Sequence, residues 1–459
     1  MKKVLVISYY YPPRPGVGTN RIRGLTKYLH RFGWEPVVLT TELGEGEWAP
    51  YAKVIETEFC SRIGIIKKFF GFKDGIGLQQ QIGINKKRKN GIVNRFFSYL
   101  KDFIAFPDEF CTWIKKAEKI GMQLIDNEKI SVIISSSSPV STHLIASRLS
   151  RKKGVPWVAD LRDLWTQNHY HDHTLIRRIF ERNLEKRTLR YASALVTVSE
   201  PYAEQLRLLH GNKDVYCITN GFDPDEVSDY CPAEKTVSEI TPEDIVIEDT
   251  VTEDIVTADT AVGDTIEGRL LISHTGSLYD LKKNPGPLFK VIRKLIDNGY
   301  MDRSKIQVNF YGPFCHKLEE LIKVYKLERI AVQHGIINRN LSMEVQRKSS
   351  VLLVMEWDNP GEEGVYTGKI FEYLAARRPI LAIGVRGGVL RDLLNTTRAG
   401  VYATSEIQIE EFIKRWYEEC INGTQPVFIG DKDKINEYSH VNMAGKYSEL
   451  LNRVSSSID

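Results

Sequence analysis

The sequence predicts an α/β protein of two domains, each built on a parallel sheet. Short apolar segments of strand length alternate with amphipathic segments of helical period along the chain, and strands that alternate with helices usually pair in parallel. The length of 459 residues is that of two domains of usual size. An apolar content of 42% and a charged content of 27% are globular values that can supply two cores.

The first 40 residues predict one strand–helix–strand unit. An apolar strand at 4–8 precedes a loop rich in proline and glycine. Thr19 is the predicted N-cap of the next helix, which extends to about Phe32 and ends at Gly33. A second strand is predicted at 36–40.

The later elements repeat this scheme and set the expected domain limits. Further strands are predicted in the first half at 131–135, 155–160, 194–198 and 215–219, and in the second half at 270–274, 306–311, 330–333, 351–355 and 380–383. We expect a first domain at 1–205, a second at 206–435, and a terminal helix at 436–459. A return of that helix to the first domain is one option.

Two segments depart from the pattern. Residues 236–268 contain ten acids and no Lys or Arg, which predicts a solvated, poorly ordered surface insertion in the second domain. Residues 62–101 carry ten Lys or Arg against one acid, with Phe residues between the basic clusters. This composition is typical of contact with anionic lipid, and a solvated basic loop with its Phe side chains in the core is the alternative.

Composition excludes several classes of protein. The net charge of +4 is too small to predict nucleic-acid binding. The six cysteines are scattered without a Cys-x-x-Cys pair, so neither a zinc site nor a disulfide framework is expected. The N-terminus is predicted to be a first strand rather than a signal peptide, and no apolar run reaches 18 residues. We therefore expect a cytoplasmic protein, with any membrane contact peripheral.

The segment 368–383 predicts a ligand site. A helix that begins near Gly368 lies between two buried strands, so its N-terminus should face the carboxyl end of a sheet, where α/β proteins bind ligands. Free backbone N–H groups there suit a phosphate, and Lys369 adds a positive charge. The Glu372 carboxylate can accept from both hydroxyls of a diol. An ordinary amphipathic helix with a solvated Lys and Glu is an equal alternative.

A series of modest motifs, in a specific order, carries a family resemblance. They are the Pro-Pro…Gly-x-Gly turn at 12–18, Asp-Leu-Arg-Asp-Leu-Trp at 160–165, Val-Thr-Val-Ser-Glu at 196–200, Asn-Gly-Phe-Asp at 220–223, His-Thr-Gly-Ser-Leu at 274–278 with Lys-Asn-Pro at 283–285, and Lys-Ile-Phe-Glu-Tyr-Leu-Ala-Ala at 369–376. In these the chain resembles the retaining, nucleotide-sugar-dependent glycosyltransferases of glycosyltransferase family four. The resemblance covers nearly the whole chain apart from the acidic insertion, and is closest to bacterial enzymes of capsule, exopolysaccharide or O-antigen synthesis.

The resemblance implies the GT-B fold, two Rossmann-like domains facing each other across a cleft, with the nucleotide sugar held mainly by the second. Lys283 would neutralise the donor diphosphate and act in catalysis. The implied donor-binding residues are Gly16, Gly18, Gly276, Ser277, Lys283, Gly335, Ile336, Glu363, Thr367, Gly368, Lys369 and Glu372. Two positions depart from the family pattern, because Ser277 stands where an Arg is usual and Gly364 where a Glu usually contacts the sugar.

The first domain would hold the acceptor. Asp160, Arg162, Asp163 and His143 are the implied acceptor-binding residues, and Asp160 and Asp163 the implied catalytic partners of Lys283. An internal Arg–Asp pair, with Asp as a helix N-cap, and a structural His143 are the alternatives. We expect no metal and no cofactor, since cationic side chains and a helix terminus can stabilise the leaving diphosphate.

These implications predict transfer of a sugar from a nucleoside diphosphate sugar to a hydroxyl of a glycan or lipid-linked glycan, with retention. A nucleotide-sugar epimerase of the same fold is the rival enzyme. A non-catalytic sugar-nucleotide-binding partner of a membrane assembly is the rival from another class.

Overall fold

The structure is a computed structural model that describes residues 1–14, 16–44, 50–59, 106–169, 174–211, 213–228 and 268–456. The chain forms two compact units. Unit 1 comprises Met1–Gly221 and His440–Asp459, and unit 2 comprises Phe222–Ser439. The basic segment 62–101, and all of the acidic insertion except Gly268, lie outside the described residues.

Unit 1 contains a parallel sheet of seven described strands in the order β3-β2-β1-β4-β5-β6-β7. The strands are β1 (Lys2–Ile7), β2 (Trp34–Thr41), β3 (Lys53–Thr57), β4 (Ile130–Ser137), β5 (Trp157–Leu161), β6 (Ala194–Thr197) and β7 (Val215–Cys217). The helices along this part of the chain are α1 (Val17–Tyr28), α2 (Trp113–Glu128), α3 (Ser141–Lys153), α4 (Leu175–Leu189) and α5 (Glu200–His210).

Unit 2 contains a parallel sheet of six described strands in the order β10-β9-β8-β11-β12-β13. The strands are β8 (Leu270–Thr275), β9 (Ile306–Tyr311), β10 (Ala331–Gly335), β11 (Val351–Met355), β12 (Ile380–Ile383) and β13 (Gly400–Ala403). The helices are α6 (Asp225–Ser228), α7 (Gly286–Asp297), α8 (His316–Val324), α9 (Arg339–Lys348), α10 (Gly368–Ala376), α11 (Val389–Thr397), α12 (Glu406–Ile421) and α13 (Lys432–Asn436). The predicted α/β class with a parallel sheet in each half is confirmed.

The central strands are apolar on both faces because helices cover both sides of a parallel sheet. In β1, Val4, Leu5, Val6 and Ile7 are all fully buried, and β11 is buried along its whole length. The helix after β1 begins at Val17, directly after Gly16, so Thr19 lies in its first turn and is not its N-cap.

The boundary between the units lies later than predicted. β7 pairs with β6 in the sheet of unit 1, with Val215 opposite Leu195. The division therefore falls between Gly221 and Phe222, and the predicted limit at 205/206 is corrected. A three-residue strand carries too little apolar pattern to be assigned to one sheet from sequence.

The last helix of the chain, α14 (His440–Ser455), belongs to unit 1. Its apolar face, with Met443, Tyr447 and Leu451, is buried in the same core as Val4 and Leu25. Among the described residues, none of the helices combines the length and the apolar composition that a bilayer span requires.

Candidate functional site

The candidate site lies where the strand order of unit 2 reverses. β8 and β11 are neighbours in the sheet, yet the chain leaves them towards opposite edges. Open α/β sheets bind ligands in the crevice at the carboxyl ends of two such strands. β8 ends there at Thr275, just before Gly276, and β11 ends at Met355, just before Glu356. The helix α10 begins beside them at Gly368.

Gly276 and Lys369 are in direct contact. Gly276 has a φ of +121°, a backbone conformation that favours glycine. A Cβ atom at this position would overlap the Lys369 ammonium group and would lie 2.9 Å from its Cε. The glycine turn after β8 therefore leaves space for the Lys369 side chain.

His274, near the end of β8, also contacts the Lys369 ammonium group. The Lys369 Nζ lies 3.3 Å from His274 Nε2, and His274 Nδ1 lies 2.9 Å from the carbonyl oxygen of Leu353. Burial, and then the nearby Lys369 charge, lower the pKa of His274 well below its usual value. The imidazole is therefore neutral at pH 7.

Two lysines in this site have lowered pKa values. Burial, and then the charge of Lys283, lower the pKa of Lys369 to about 7. Burial also lowers the pKa of Lys283, although Glu362 and Glu356 oppose the shift. Within the described ranges, neither ammonium has a carboxylate at ion-pair distance. Such a pair of desolvated cations attracts an anion of more than one charge.

The loop that carries Lys283 has an unusual backbone. Tyr279, Asp280 and Leu281 have φ values of 50°, 57° and 64°, a left-handed turn without a glycine. This conformation costs about 1–2 kcal/mol for each residue, and such strain is typical of functional loops. The turn closes with the backbone N–H of Lys283 donating to the Leu278 carbonyl at 3.2 Å, which directs Lys283 into the buried site.

Glu372 lies one turn into α10, where it shares an ionic network. Arg339 Nη1 donates to Glu372 Oε1 at 2.9 Å, and Arg339 Nη2 donates to Glu226 Oε2 at 2.7 Å. These three side chains and Gln346 line a shallow open pocket. A diol would therefore meet a carboxylate already held in place by Arg339. Sequence reasoning missed Arg339, since only the fold brings it to Glu372.

Sequence reasoning also missed Glu356, at the end of β11. The Tyr402 hydroxyl donates to its carboxylate, and a Cβ on Gly384 would overlap both groups. Burial raises the pKa of Glu356 to about 7, and Glu362 adds to this shift while Tyr402 and Lys283 oppose it. The only signal in the sequence is its position directly after an apolar strand.

The other predicted donor residues of unit 2 are placed as follows. Ser277 accepts from the Tyr279 backbone N–H at 3.1 Å, and Thr367 precedes α10. Gly335 ends β10 with Ile336 half exposed after it. Glu363 is exposed, whereas its neighbour Glu362 is buried. A contact of Glu363 with the sugar stays a prediction.

In unit 1, the predicted residues Gly18, Arg162 and Asp163 lie together. A Cβ on Gly18 would overlap the Arg162 guanidinium, which also lies 5.7 Å from the centre of the Tyr10 ring. Arg162 Nη2 is 3.5 Å from Asp163 Oδ2, and the Asp163 side chain is half exposed. Gly16 precedes α1 at the same loop. A binding role for this cluster stays a prediction.

The predicted substrate role of Asp160 is contradicted. The side chain is fully buried, and Arg21 donates to both of its carboxylate oxygens at 3.0 and 2.9 Å, while Ser136 adds a third bond at 2.8 Å. Burial alone would raise the pKa of Asp160, but Arg21, with the hydrogen bonds of Ser136 and Tyr447, outweighs burial and the pKa is lowered. Asp160 is half of an internal ion pair, with Arg21 rather than Arg162 as its partner.

The predicted acceptor contact of His143 is contradicted for the same reason. Its side chain is fully buried, with Nδ1 2.7 Å from the Ser135 hydroxyl and the rings of Trp157 and Trp165 beside it. Burial lowers the pKa of His143 to about 4. It is a neutral core residue.

Residues 101–226 match the model of Glycosyltransferase Family 4. No curated protein sequence matches the chain significantly. Among solved structures, a glycosyltransferase from Rickettsia africae is similar with a TM-score of 0.58 and 14% identity, covering 99% of this chain and 98% of that one.

Two further structures are similar over their full length. Sucrose-phosphate synthase from Thermosynechococcus elongatus has a TM-score of 0.63 and 12% identity, covering 100% of both chains. HepE from Anabaena, in complex with UDP and glucose, has a TM-score of 0.57 and 11% identity, covering 99% of this chain and 100% of that one. The chain thus has the α/β fold of the GT-B glycosyltransferases, with two parallel-sheet domains, and its residues 101–226 match Glycosyltransferase Family 4.

Proposed function

We propose that this protein transfers a sugar, of hexosyl type, from a nucleoside diphosphate sugar to a hydroxyl of a glycan or lipid-linked glycan. We further propose retention of the anomeric configuration and a role in bacterial surface polysaccharide synthesis, such as capsule or O-antigen. The observation that carries the proposal is the convergence of two lysines with lowered pKa values, Lys283 and Lys369, near the glycine turn after β8. The fold and the family match at 101–226 support it.

The proposed chemistry follows from these two charges. As the bond between the anomeric carbon and the diphosphate oxygen breaks, negative charge grows on the leaving nucleoside diphosphate. The acceptor oxygen forms the new bond to the same carbon, and the hydroxyl proton is released. The lysines interact more strongly with the leaving group than with the bound donor, and such differential binding lowers the barrier. No metal is needed for this role, since the lysines supply the charge.

The experiment begins with binding and ends with transfer. HepE binds UDP, so UDP and UDP-glucose are tested first by thermal shift, followed by the GDP and ADP equivalents. A ligand at 100 times its dissociation constant should add about 2.7 kcal/mol of stability. With the best donor and a panel of glycan acceptors, we expect release of nucleoside diphosphate that depends on the acceptor. Failure of every nucleotide to bind would contradict the proposal.

A nucleotide-sugar epimerase is the second candidate, and Glu356 favours it. A carboxyl group with a pKa of about 7 can act as a general acid or base near neutral pH. An epimerase would convert the donor sugar into its epimer without any acceptor. Detection of that epimer by NMR would show that the protein is an epimerase and not a transferase. Binding of the nucleotide sugar without either reaction would indicate a non-catalytic sugar-nucleotide-binding partner of a membrane assembly.

A further inference from the structure

We infer that neutral His274 positions the Lys369 ammonium group as the second cation of the diphosphate site. This inference rests on the proposed function, because it concerns the ligand of that same site. A nucleoside diphosphate sugar carries two negative charges on its diphosphate, and Lys283 supplies one positive charge. The side chain at 277 is a serine and adds none.

Lys369 lies at the glycine turn after β8. Its Nζ lies against the Cα of Gly276, so closely that a side chain at 276 is excluded. Gly276 follows β8 at the reversal of strand order, so the ammonium lies at the carboxyl end of the sheet where an anion would enter. Lys283 is close enough to lower the pKa of Lys369. A bound diphosphate would therefore interact with both charges.

The contacts of His274 define its tautomer. A carbonyl oxygen only accepts hydrogen bonds, so the 2.9 Å contact with Leu353 requires a hydrogen on Nδ1 of His274. In the neutral ring Nε2 then carries a lone pair, and it accepts from the Lys369 ammonium at 3.3 Å. One N–H of Lys369 is thus directed into the protein. The other two N–H groups stay available to a ligand.

Binding of a diphosphate should change the protonation of Lys369. The titratable groups that face Lys369 are His274 from β8, Lys283 from the loop after β8, and Glu372 from its own helix. With a pKa of about 7, Lys369 is about half protonated at pH 7 and mostly neutral at pH 8 in the free protein. A bound diphosphate favours the charged form. Binding at pH 8 should therefore take up close to one proton, and binding at pH 6 should take up almost none.

The test is calorimetric titration with UDP-glucose, or with GDP-mannose or ADP-glucose if one of them binds more tightly. None of these nucleotide sugars titrates between pH 6 and pH 8, so they contribute no protons of their own. Titrations in two buffers of different ionisation enthalpy give the number of protons taken up. We expect uptake at pH 8 and an affinity that falls about tenfold between pH 6 and pH 8, because one pKa unit corresponds to a factor of ten.

Variants assign the proton to Lys369. Lys369→Met should lose both the uptake and at least tenfold in affinity at pH 6. Lys369→Arg keeps a permanent charge, so it should bind better than Lys369→Met and take up no proton. His274→Phe removes the acceptor, which should move the uptake to lower pH, and His274→Gln should restore it in part. Lys290→Met, on an exposed lysine paired with Glu406, is the matched control and should behave as the wild type.

The outcomes separate the two ideas. Wild-type protein that binds the nucleotide sugar without proton uptake at pH 8 would overturn the inference and leave the proposed function standing. Uptake that persists in both Lys369 variants would overturn it as well. If no nucleotide sugar binds the wild type, the proposed function fails and the inference falls with it.

Discussion

Lys283 and Lys369 place two ammonium groups in surroundings that oppose their charge. Burial lowers the pKa of both, and the charge of Lys283 lowers the pKa of Lys369 further. A group that destabilises the free protein is usually retained for function. The same reasoning applies to the left-handed turn at 279–281, whose strain is tolerated because it directs Lys283 inward.

Lys283→Ala should lower kcat by about 10²–10³, the usual effect of losing one contact to a developing negative charge. The melting temperature of the free protein should not fall, because the variant removes a buried, unpaired cation. Steady-state kinetics and thermal unfolding measure the two effects. Lys294→Ala, an exposed lysine that pairs with Glu410, is the control and should change neither. Near-normal transfer by Lys283→Ala would exclude the phosphate role.

Glu372→Gln should weaken binding of a ribonucleotide by about 1.5–3 kcal/mol, because a hydrogen bond to a charged acceptor is lost. A 2′-deoxynucleotide has no diol, so its affinity should change less. Arg339 keeps one amide partner, so the variant should stay folded. Calorimetric titration with both nucleotides measures these affinities. Equal losses of affinity for the two nucleotides would show that Glu372 does not bind the ribose.

At the scale of elements, Arg21 joins four parts of unit 1. From α1 its guanidinium reaches Asp160 on β5, the carbonyl oxygens of Ile218 and Thr219 in the segment after β7, and the Tyr447 hydroxyl on α14 at 2.8 Å. The group is fully buried and every contact is within 3.0 Å, apart from a longer one to sulfur. A buried charge of this kind is costly unless all of its partners are present.

Arg21→Met should destabilise unit 1 by about 3–5 kcal/mol at pH 7, because Asp160 is left buried without its partner. Tyr447→Phe should cost about 1–3 kcal/mol. Tyr216→Phe, whose hydroxyl meets Arg453 at the surface, is the control and should change stability by less than about 0.5 kcal/mol. Urea denaturation measures all three.

The effect of Arg21→Met should depend on pH. In the wild type the folded-state pKa of Asp160 is lowered, so the stability gained from the pair is present above the unfolded-state pKa of about 3.9 and is lost as the pH falls through the folded value. In the variant, buried Asp160 can become neutral by taking up a proton. The difference in stability between the two should therefore narrow as the pH is lowered from 7 to 4. A constant difference would show that Asp160 is not the group affected.

At the scale of the whole molecule, charge is divided unevenly along the sequence. The ten acids at 236–268 offset part of the basic charge, so that the rest of the chain carries a net charge of +14. Ten of the basic residues lie at 62–101. We propose that this basic segment makes peripheral contact with the inner face of the plasma membrane, where lipid-linked acceptors would be found.

Replacing Lys86, Lys87, Arg88 and Lys89 by Gln should abolish sedimentation with anionic vesicles at low salt, since each basic residue contributes roughly 1 kcal/mol near such a surface. Transfer to a short, water-soluble acceptor should be unaffected. A control variant carries the same four changes at the exposed lysines Lys290, Lys294, Lys317 and Lys323. Unchanged vesicle binding in the first variant, or equal loss in both, would contradict the proposal.

The sequence predicts strands well where they are buried on both faces. The strands predicted at 306–311, 351–355 and 380–383 have the observed limits. β3 and β13 were missed because they are mostly not buried: β3 begins with an exposed lysine, and no residue of β13 before Ala403 is buried. Periodicity and apolar runs both fail for such segments.

The site was predictable where the signal is local. The turn at Gly276 and the helix start at Lys369 each form a recognisable pattern within a few residues. Asp160 was misassigned because its partner Arg21 is 139 residues away in the sequence. Arg339 and Glu356 were missed because their roles depend on burial and on neighbours from other elements, which one sequence does not reveal.

The placement of α14 has a consequence for synthesis on the ribosome. Unit 2 is one continuous segment, so its core can be completed as soon as residue 439 has emerged. Unit 1 begins at the first residue, yet Tyr447 and the apolar face of α14 arrive last. Domains are usually completed in the order in which they are made. Here unit 1 cannot complete its core until α14 has been synthesised, and Arg21 and Asp160 stay incompletely enclosed until then. Unit 1 is therefore expected to complete folding after unit 2, and to be the unit more exposed to misfolding during synthesis.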